Sequence, residues 1–352
     1  CNVAGYLPSV RLDVLSLLRK SLLKRDDGDG EPRYSMLESI REYAREKLHE
    51  SGEVFQLYQA LILYYLSPVE DLEPPLDPNL EVLYARLDSE LDNIRTVLSW
   101  SLSSEKVNLT TAALGVRLAG RLIYFWFIRG LLNEGRHWLS LAAQSALSPD
   151  AGRARVLNGL GLLAWQQADY AAAADALKES IALWRALEYP PGLAEGLHFL
   201  GHVRFEQHEY DMASNLFLES RAIYTEMGEI TATLPLISDL GMVAYHQHDY
   251  QSARALFEEA LKLCREHGNK EGTLDTTSRL GDLMRLAGDY AQAAQFYEES
   301  LALSQELQSN LGIASAKHKL GYIAKASGNP ERAKSLFLES LSIQYEAGNK
   351  QG

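Results

Sequence analysis

The chain has 352 residues, 46% hydrophobic and 23% charged, which is ordinary globular composition and excludes a disordered polymer. Its net charge of −13 opposes nucleic-acid phosphates unless a local basic patch intervenes. No stretch reaches the roughly 18 uncharged apolar residues of a membrane span, the longest candidate being residues 122–128 between Arg121 and Arg129.

The chain opens at Cys1 rather than Met, with no cationic segment leading into an apolar run. Its two cysteines, Cys1 and Cys264, cannot build a disulfide framework, so a reducing cytoplasm is the expected setting. Residues 1–66 read as one segment. Apolar residues recur at helical spacing over 12–22, two short strands flank an Asp-Gly turn in LLKRDDGDGEPRYSML, and residues 38–50 form a strong helix. The acidic run over 26–29 is a solvated turn. Helix, hairpin, helix is the latter part of a winged-helix domain. RYSMLESIREYAREKLHESGE closely resembles the winged-helix end of bacterial STAND proteins, which are signal-transduction NTPases. That resemblance implies an upstream NTPase domain and a downstream helical-repeat sensor. Residues 1–50 carry nine Lys/Arg against nine Asp/Glu, so an intramolecular hinge is expected rather than a DNA reader, whose surface would be strongly basic.

Residues 67–111 are read as a linker and a connecting helix. Pro68, Pro74, Pro75 and Pro78 mark residues 67–79 as linker, and Leu83, Leu87, Leu91, Ile94 and Leu98 make residues 80–101 one amphipathic helix. Residues 112–152 form a degenerate helical repeat, in which Leu122, Trp126, Gly130, Gly135, Leu139 and Ala142 fall on the template of the repeats that follow. LDSELDNIRTVLSW and RGLLNEGRHWL also look like the STAND junction and first repeat.

From 153 to 352 the chain repeats itself five times. Leu160-Gly161, Leu200-Gly201, Leu240-Gly241, Leu280-Gly281 and Leu320-Gly321 recur every 40 residues. Nine residues after each glycine stand Tyr170, Tyr210, Tyr250, Tyr290 and Pro330, preceded by Asp169, Glu209, Asp249, Asp289 and Asn329, which are expected to cap the second helix of each hairpin. Then come Ala173, Ala213, Ala253, Ala293 and Ala333, and in repeats two to five Phe217, Phe257, Tyr297 and Phe337. Gly228, Gly268, Gly312 and Gly348 are expected to end helices. Repeats two, three and four carry net charges of about −5, −2 and −4, and repeat five about +3.

This pattern resembles the tetratricopeptide repeat, with longer repeats than the family's commonest 34 residues. The resemblance implies an all-α fold, a tetratricopeptide-type α-solenoid whose hairpins form a right-handed superhelix, with a small N-terminal winged-helix segment. It also implies that first helices line a concave groove. The family's groove positions fall on Tyr124 and Phe127 in the degenerate unit, Asn158 and Trp165 in repeat one, and His198, His202 and Phe205 in repeat two. They fall on Tyr245 and His246 in repeat three, Asp282 and Arg285 in repeat four, and His318 and Tyr322 in repeat five. Large aromatics among scattered polar groups suit a peptide, protein or small-molecule effector. The same aromatic positions could equally be packing between repeats.

His198 and His202 lie one turn apart and could chelate a metal, but a two-histidine pair without a third ligand is read as groove histidines, so no metal and no cofactor is assigned. No phosphate-binding G-x-x-x-x-G-K-[ST] loop and no G-x-S-x-G nucleophile elbow occurs. The expectation is therefore a non-enzymatic sensor arm of a STAND-type signalling or transcriptional regulator. The resemblance places its partner NTPase core outside this sequence. A constitutive protein-protein interaction scaffold is the alternative. No polar capping helix follows Gly352, so the chain is expected to be a piece of a longer protein with further repeats.

Overall fold

The computed structural model describes residues 7–26, 33–70, 80–103, 108–145 and 150–349. Contacts divide the chain into two units, Cys1–Ala172 and Ala173–Gly352.

Unit 1 begins with α1 (Leu7–Arg19), β1 (Lys24–Asp26), β2 (Arg33–Ser35) and α2 (Glu38–Ser51). The strands pair antiparallel with Arg25 opposite Tyr34, so helix, ribbon and helix follow in the expected order; the Asp-Gly turn lies outside the described residues. Next come α3 (Val54–Glu70), α4 (Leu80–Ser89), α5 (Leu91–Ser103), α6 (Leu109–Arg121), α7 (Ile123–Ile128), α8 (Leu132–Ser145) and α9 (Ala151–Gln166). Two expectations are corrected here. The proline-marked linker is helical over its first four residues, because Pro68 sits inside α3, whose Ile62, Leu66 and Val69 are buried. Residues 71–79 lie outside the described residues. The single helix expected over 80–101 is two, α4 and α5, broken at Glu90, whose carbonyl accepts from the amides of Asn93 and Ile94 and opens α5.

The core of unit 1 gathers Leu66, Leu87, Ile94, Leu98, Leu118, Phe125, Trp126 and Leu139, all essentially inaccessible. A fork of Arg95 Nε and a terminal nitrogen grips the Glu134 carboxylate at 2.8 and 2.7 Å, joining α5 to α8. Hydrogen bonds from Arg95 hold the Glu134 carboxyl below its ordinary range.

Helix α10 (Tyr170–Ala186) contains the unit boundary, and unit 2 continues through α11 (Pro190–Glu206), α12 (Tyr210–Met227), α13 (Ile230–His246), α14 (Tyr250–Glu266), α15 (Lys270–Leu286), α16 (Tyr290–Glu306), α17 (Asn310–Ala326) and α18 (Pro330–Asn349). Consecutive helices pack as hairpins, and each hairpin packs on the next, so unit 2 is a tetratricopeptide-repeat solenoid.

The repeat signature acts within each hairpin. A Cβ added to Gly201, Gly241 or Gly281 would meet the ring of Phe217, Phe257 or Tyr297 at 2.4, 2.5 and 2.4 Å, and Gly321 faces Phe337 in the same way. Each glycine thus receives an aromatic from the second helix. Side chains of Asp169, Asp249, Asp289 and Asn329 accept amides at the helix starts, as expected. Glu209 makes no such bond; its longer chain pairs with Arg204 at 2.8 Å instead. Gly228 and Gly268 do end helices at positive φ, but Gly312 lies in the first turn of α17 against Ser304, and Gly348 within α18. The hairpin turns of unit 2 place His208, His248, Gly288 and Gly328 in the left-handed region.

Two outcomes follow. Gly241→Ala should lower unfolding free energy by about 1–3 kcal/mol, because Phe257 is 1% exposed and has no space to withdraw into; urea titration followed by circular dichroism measures it, and a neutral substitution contradicts the clasp. Glu134→Gln should destabilise the protein at neutral pH, with the gap between variant and wild type closing as pH falls from the ordinary Glu value of 4.5 towards the lower folded value. The sign follows because a depressed carboxyl binds its proton more readily in the unfolded chain. Thermal midpoints across pH 3–7 test this, and a gap independent of pH contradicts it.

Candidate functional site

Each hairpin of unit 2 contributes its first helix, α11, α13, α15 or α17, to one row, in which α13 also touches α15 directly. Residues 40 apart therefore occupy equivalent places, and each junction between neighbouring first helices is built from the same three positions.

At the junction of α11 and α13 these positions hold His198, His202 and Asp239. His198 Nε2 lies 2.8 Å from Asp239 Oδ2, His202 Nε2 lies 3.4 Å from the same oxygen, and the two Nε2 atoms are 3.1 Å apart. Both rings stand edge-on to Phe217, the aromatic that fills Gly201. Burial pushes the His202 imidazolium down to about 4, opposed in part by Asp239, so that ring is neutral at neutral pH. Burial alone would raise the Asp239 carboxyl, but His202, His198 and Arg279 outweigh it and hold the group ionised.

The next junction, α13 with α15, holds Ser238, Met242 and Arg279. Asp275 takes Arg279 Nε at 2.6 Å and the Ser238 hydroxyl at 3.2 Å. The third, α15 with α17, holds Ser278, Asp282 and Lys319, whose ammonium lies 2.6 Å from both the Ser278 hydroxyl and Asp282 Oδ2. The Tyr297 hydroxyl donates to Asp282 Oδ1 at 2.7 Å, and burial, with the Asp282 charge, raises that phenol well above its ordinary range.

Toward the ends of α11 and α13 the rings gather. Phe205 meets His246 at 5.1 Å and Tyr210 at 5.6 Å, His246 stacks on Tyr210, and Tyr245 meets both His246 and Tyr250. His318, Tyr322 and Phe337 form a smaller cluster on α17 and α18, with Tyr322 49% exposed.

The sequence-predicted residues therefore sort into classes. Phe205, Tyr245 and His246 form one cluster, His318 and Tyr322 another, and Arg285 is exposed on α15. Asp282 is engaged by Lys319 and Tyr297 rather than free for a ligand. Tyr124, Phe127, Asn158 and Trp165 lie in unit 1. Asn158, at 1% exposure, is buried in α9 and is corrected from a surface group to an interior one, because its face of that helix is closed. Tyr124, Phe127 and Trp165 are half-buried. Sequence reasoning missed Asp239, the third member beside the histidine pair, and the cations Arg279 and Lys319. One repeat plus one residue beyond His198 leads to Asp239, so the period itself carried the signal.

An open depression of about 600 Å³ in unit 1 is lined by Tyr58, Arg95, Trp100 and Trp138 among others, with Trp100 stacked on Tyr58 at 4.5 Å. It lies apart from the predicted residues, and its openness to solvent makes it a surface hollow rather than an enclosing pocket. No helix among the described residues is long and apolar enough to cross a membrane.

The sequence matches the tetratricopeptide repeat family over residues 152–226, 231–306 and 314–346, together just over half of the chain. Provisionally assigned HTH-type transcriptional regulators of Mycobacterium bovis and Mycobacterium tuberculosis are 39% identical over 130 residues, 37% of this chain; the chain covers only 14% of their length. Among solved structures, the apo form of RapI is similar with a TM-score of 0.62 at 12% identity, over 83% of this chain and 99% of that one. A STAND protein with a tetratricopeptide repeat sensor from Pyrococcus horikoshii is similar with a TM-score of 0.55 at 13% identity, over 97% of this chain and 56% of that one. At such identities these structures speak to fold.

The Lys319 bridge generates a testable outcome. Lys319→Met should cost about 1 kcal/mol, and a double-mutant cycle with Asp282→Asn should give a coupling of about 0.5–2 kcal/mol. Chemical denaturation of the four proteins measures it; additive losses would show that the ammonium and carboxylate do not stabilise one another.

Proposed function

We propose that this chain, which belongs to the tetratricopeptide-repeat family, is the sensor arm of a STAND-type signalling or transcriptional regulator whose NTPase core lies in sequence beyond it. The observation that carries the reading is the row of first helices in unit 2, where aromatic rings and polar groups stay partly accessible although the hairpins behind them are closed. Phe205, Tyr245 and His246 offer a half-exposed aromatic surface, and Arg285, His318 and Tyr322 extend it with exposed polar and ring atoms. Such residues anchor peptides and proteins with little loss of side-chain entropy.

The similarity to a STAND protein with a tetratricopeptide repeat sensor and to mycobacterial HTH-type regulators supports placing that surface in a switch. The N-terminal helix, ribbon and helix fit a winged-helix hinge, and the even charge of that segment argues against a DNA-reading surface. In a solenoid each hairpin contacts only its neighbours, so an effector that prefers one set of junction geometries shifts the whole arm toward it.

A random peptide library displayed on phage and panned on the purified chain tests the surface. Enriched peptides should lose at least tenfold in affinity with Tyr245→Ala and with Arg285→Ala, about 1.4 kcal/mol each. Full affinity in both variants would remove the first-helix face from consideration. Sedimentation at rising concentration, with and without cell extract, separates the scaffold reading, in which the solenoid holds a protein partner or a second copy of itself and needs no small molecule.

A further inference from the structure

We infer that His198, His202 and Asp239 form a binding site for a divalent transition-metal ion, tying α11 to α13. This goes beyond the sensor-arm reading and does not depend on it.

The residue types are a transition-metal set, two imidazoles and one carboxylate. Geometry carries the argument further, because the same three atoms, His198 Nε2, His202 Nε2 and Asp239 Oδ2, converge with separations of 3.1, 2.8 and 3.4 Å. An ion bonded at about 2.1 Å holds its ligand atoms roughly 3.4 Å apart in a tetrahedron and roughly 3.0 Å apart in an octahedron. The observed separations bracket those values. The point about 2.1 Å from all three atoms stands about 1 Å off their plane, as the apex of a shallow tripod.

Register points to the same site. The position filled by Asp239 is Arg279 one junction on and Lys319 two junctions on, and there Lys319 places its own ammonium between Ser278 and Asp282. At the α15–α17 junction these three positions therefore hold a cation between neighbouring hairpins. The α11–α13 junction has two imidazoles and a carboxylate at the same positions, and no cation of its own among the three. Arg279, the nearby positive charge, is engaged by Asp275 at 2.6 Å. Access is adequate, since the three side chains retain 17%, 22% and 14% exposure. Three protein donors leave the remaining coordination positions to water or to a ligand.

The test uses the full chain, stripped with chelator and titrated with Zn2+ by calorimetry, and separately with Co2+ by visible spectroscopy. One Zn2+ per chain is expected, with a raised thermal midpoint, and Co2+ should develop d–d bands typical of mixed nitrogen and oxygen ligation. Asp239→Asn and His198→Gln should each weaken Zn2+ at least tenfold, whereas His246→Gln with His248→Gln should leave it unchanged. Should either single variant lose helical circular dichroism, Asp239→Lys decides the matter: it installs the cation that Lys319 supplies elsewhere and should stay helical while failing to bind. Absence of any binding at millimolar Zn2+, affinity that survives Asp239→Lys, or equal loss in the His246/His248 control would overturn the assignment.

Discussion

An aromatic ring seated on a glycine is the contact from which unit 2 is built. Phe217, Phe257, Tyr297 and Phe337 reach from the second helix of a hairpin onto Gly201, Gly241, Gly281 and Gly321 in the first, at distances that leave no room for a methyl group. That contact fixes how deeply the two helices interlock, and small residues such as Ala213, Ala253 and Ala293, all fully buried, let the second helix lie close. With the hairpin rigid, the outer surface of each first helix is presented at the same angle every 40 residues. The equivalence of the junctions depends on that regularity.

The aromatic also shapes chemistry on the opposite side. Phe217 supports the edges of His198 and His202, and Tyr297, besides filling its glycine, sends its hydroxyl to Asp282. Polar groups at the junctions are thus half enclosed by the same rings that stabilise the hairpins. In that lower dielectric, charges must find partners close by: Asp275 does so with Arg279 on its own helix, and Asp282 with Lys319 across the junction. Outer ion pairs such as Arg185 with Glu219 and Arg265 with Glu299 link second helices of adjacent hairpins, but both partners are well exposed and contribute little.

Much of this was legible in residues. The Leu-Gly pairs, the capping Asp and Asn residues and the spaced aromatics announce hairpins of fixed period, because each obeys a local rule that neighbours cannot override. Where the reading failed, two local rules competed. Pro68 suggested a linker, yet the apolar run of α3 buries Ile62, Tyr65, Leu66 and Val69 and carries the helix past the proline. The apolar spacing through 80–101 is continuous on either side of Glu90, so periodicity alone could not locate the break. There the Glu90 side chain takes the Tyr65 hydroxyl at 3.0 Å and the Asn93 amide at 2.7 Å, interactions set by tertiary placement. Asp239 escaped notice for a different reason: its partners are on the preceding repeat, and a search along one helix for a third ligand could not find it. Asn158 was misread because its place in the repeat does not reveal its burial: it is 1% exposed in α9, and Ser238, two repeats on, is buried as well.

The differences among junctions make the hairpins individual despite their shared frame. Removal of the 40 residues of one repeat between α11 and α15 would leave the clasp pattern of the remaining hairpins in register, and would bring Arg279 to the place of Asp239 beside His198 and His202. A guanidinium would then face two imidazoles with no carboxylate among the three positions. The solenoid is therefore modular in shape but not in order: its hairpins share one scaffold, while the three side chains at each seam change in charge from one junction to the next.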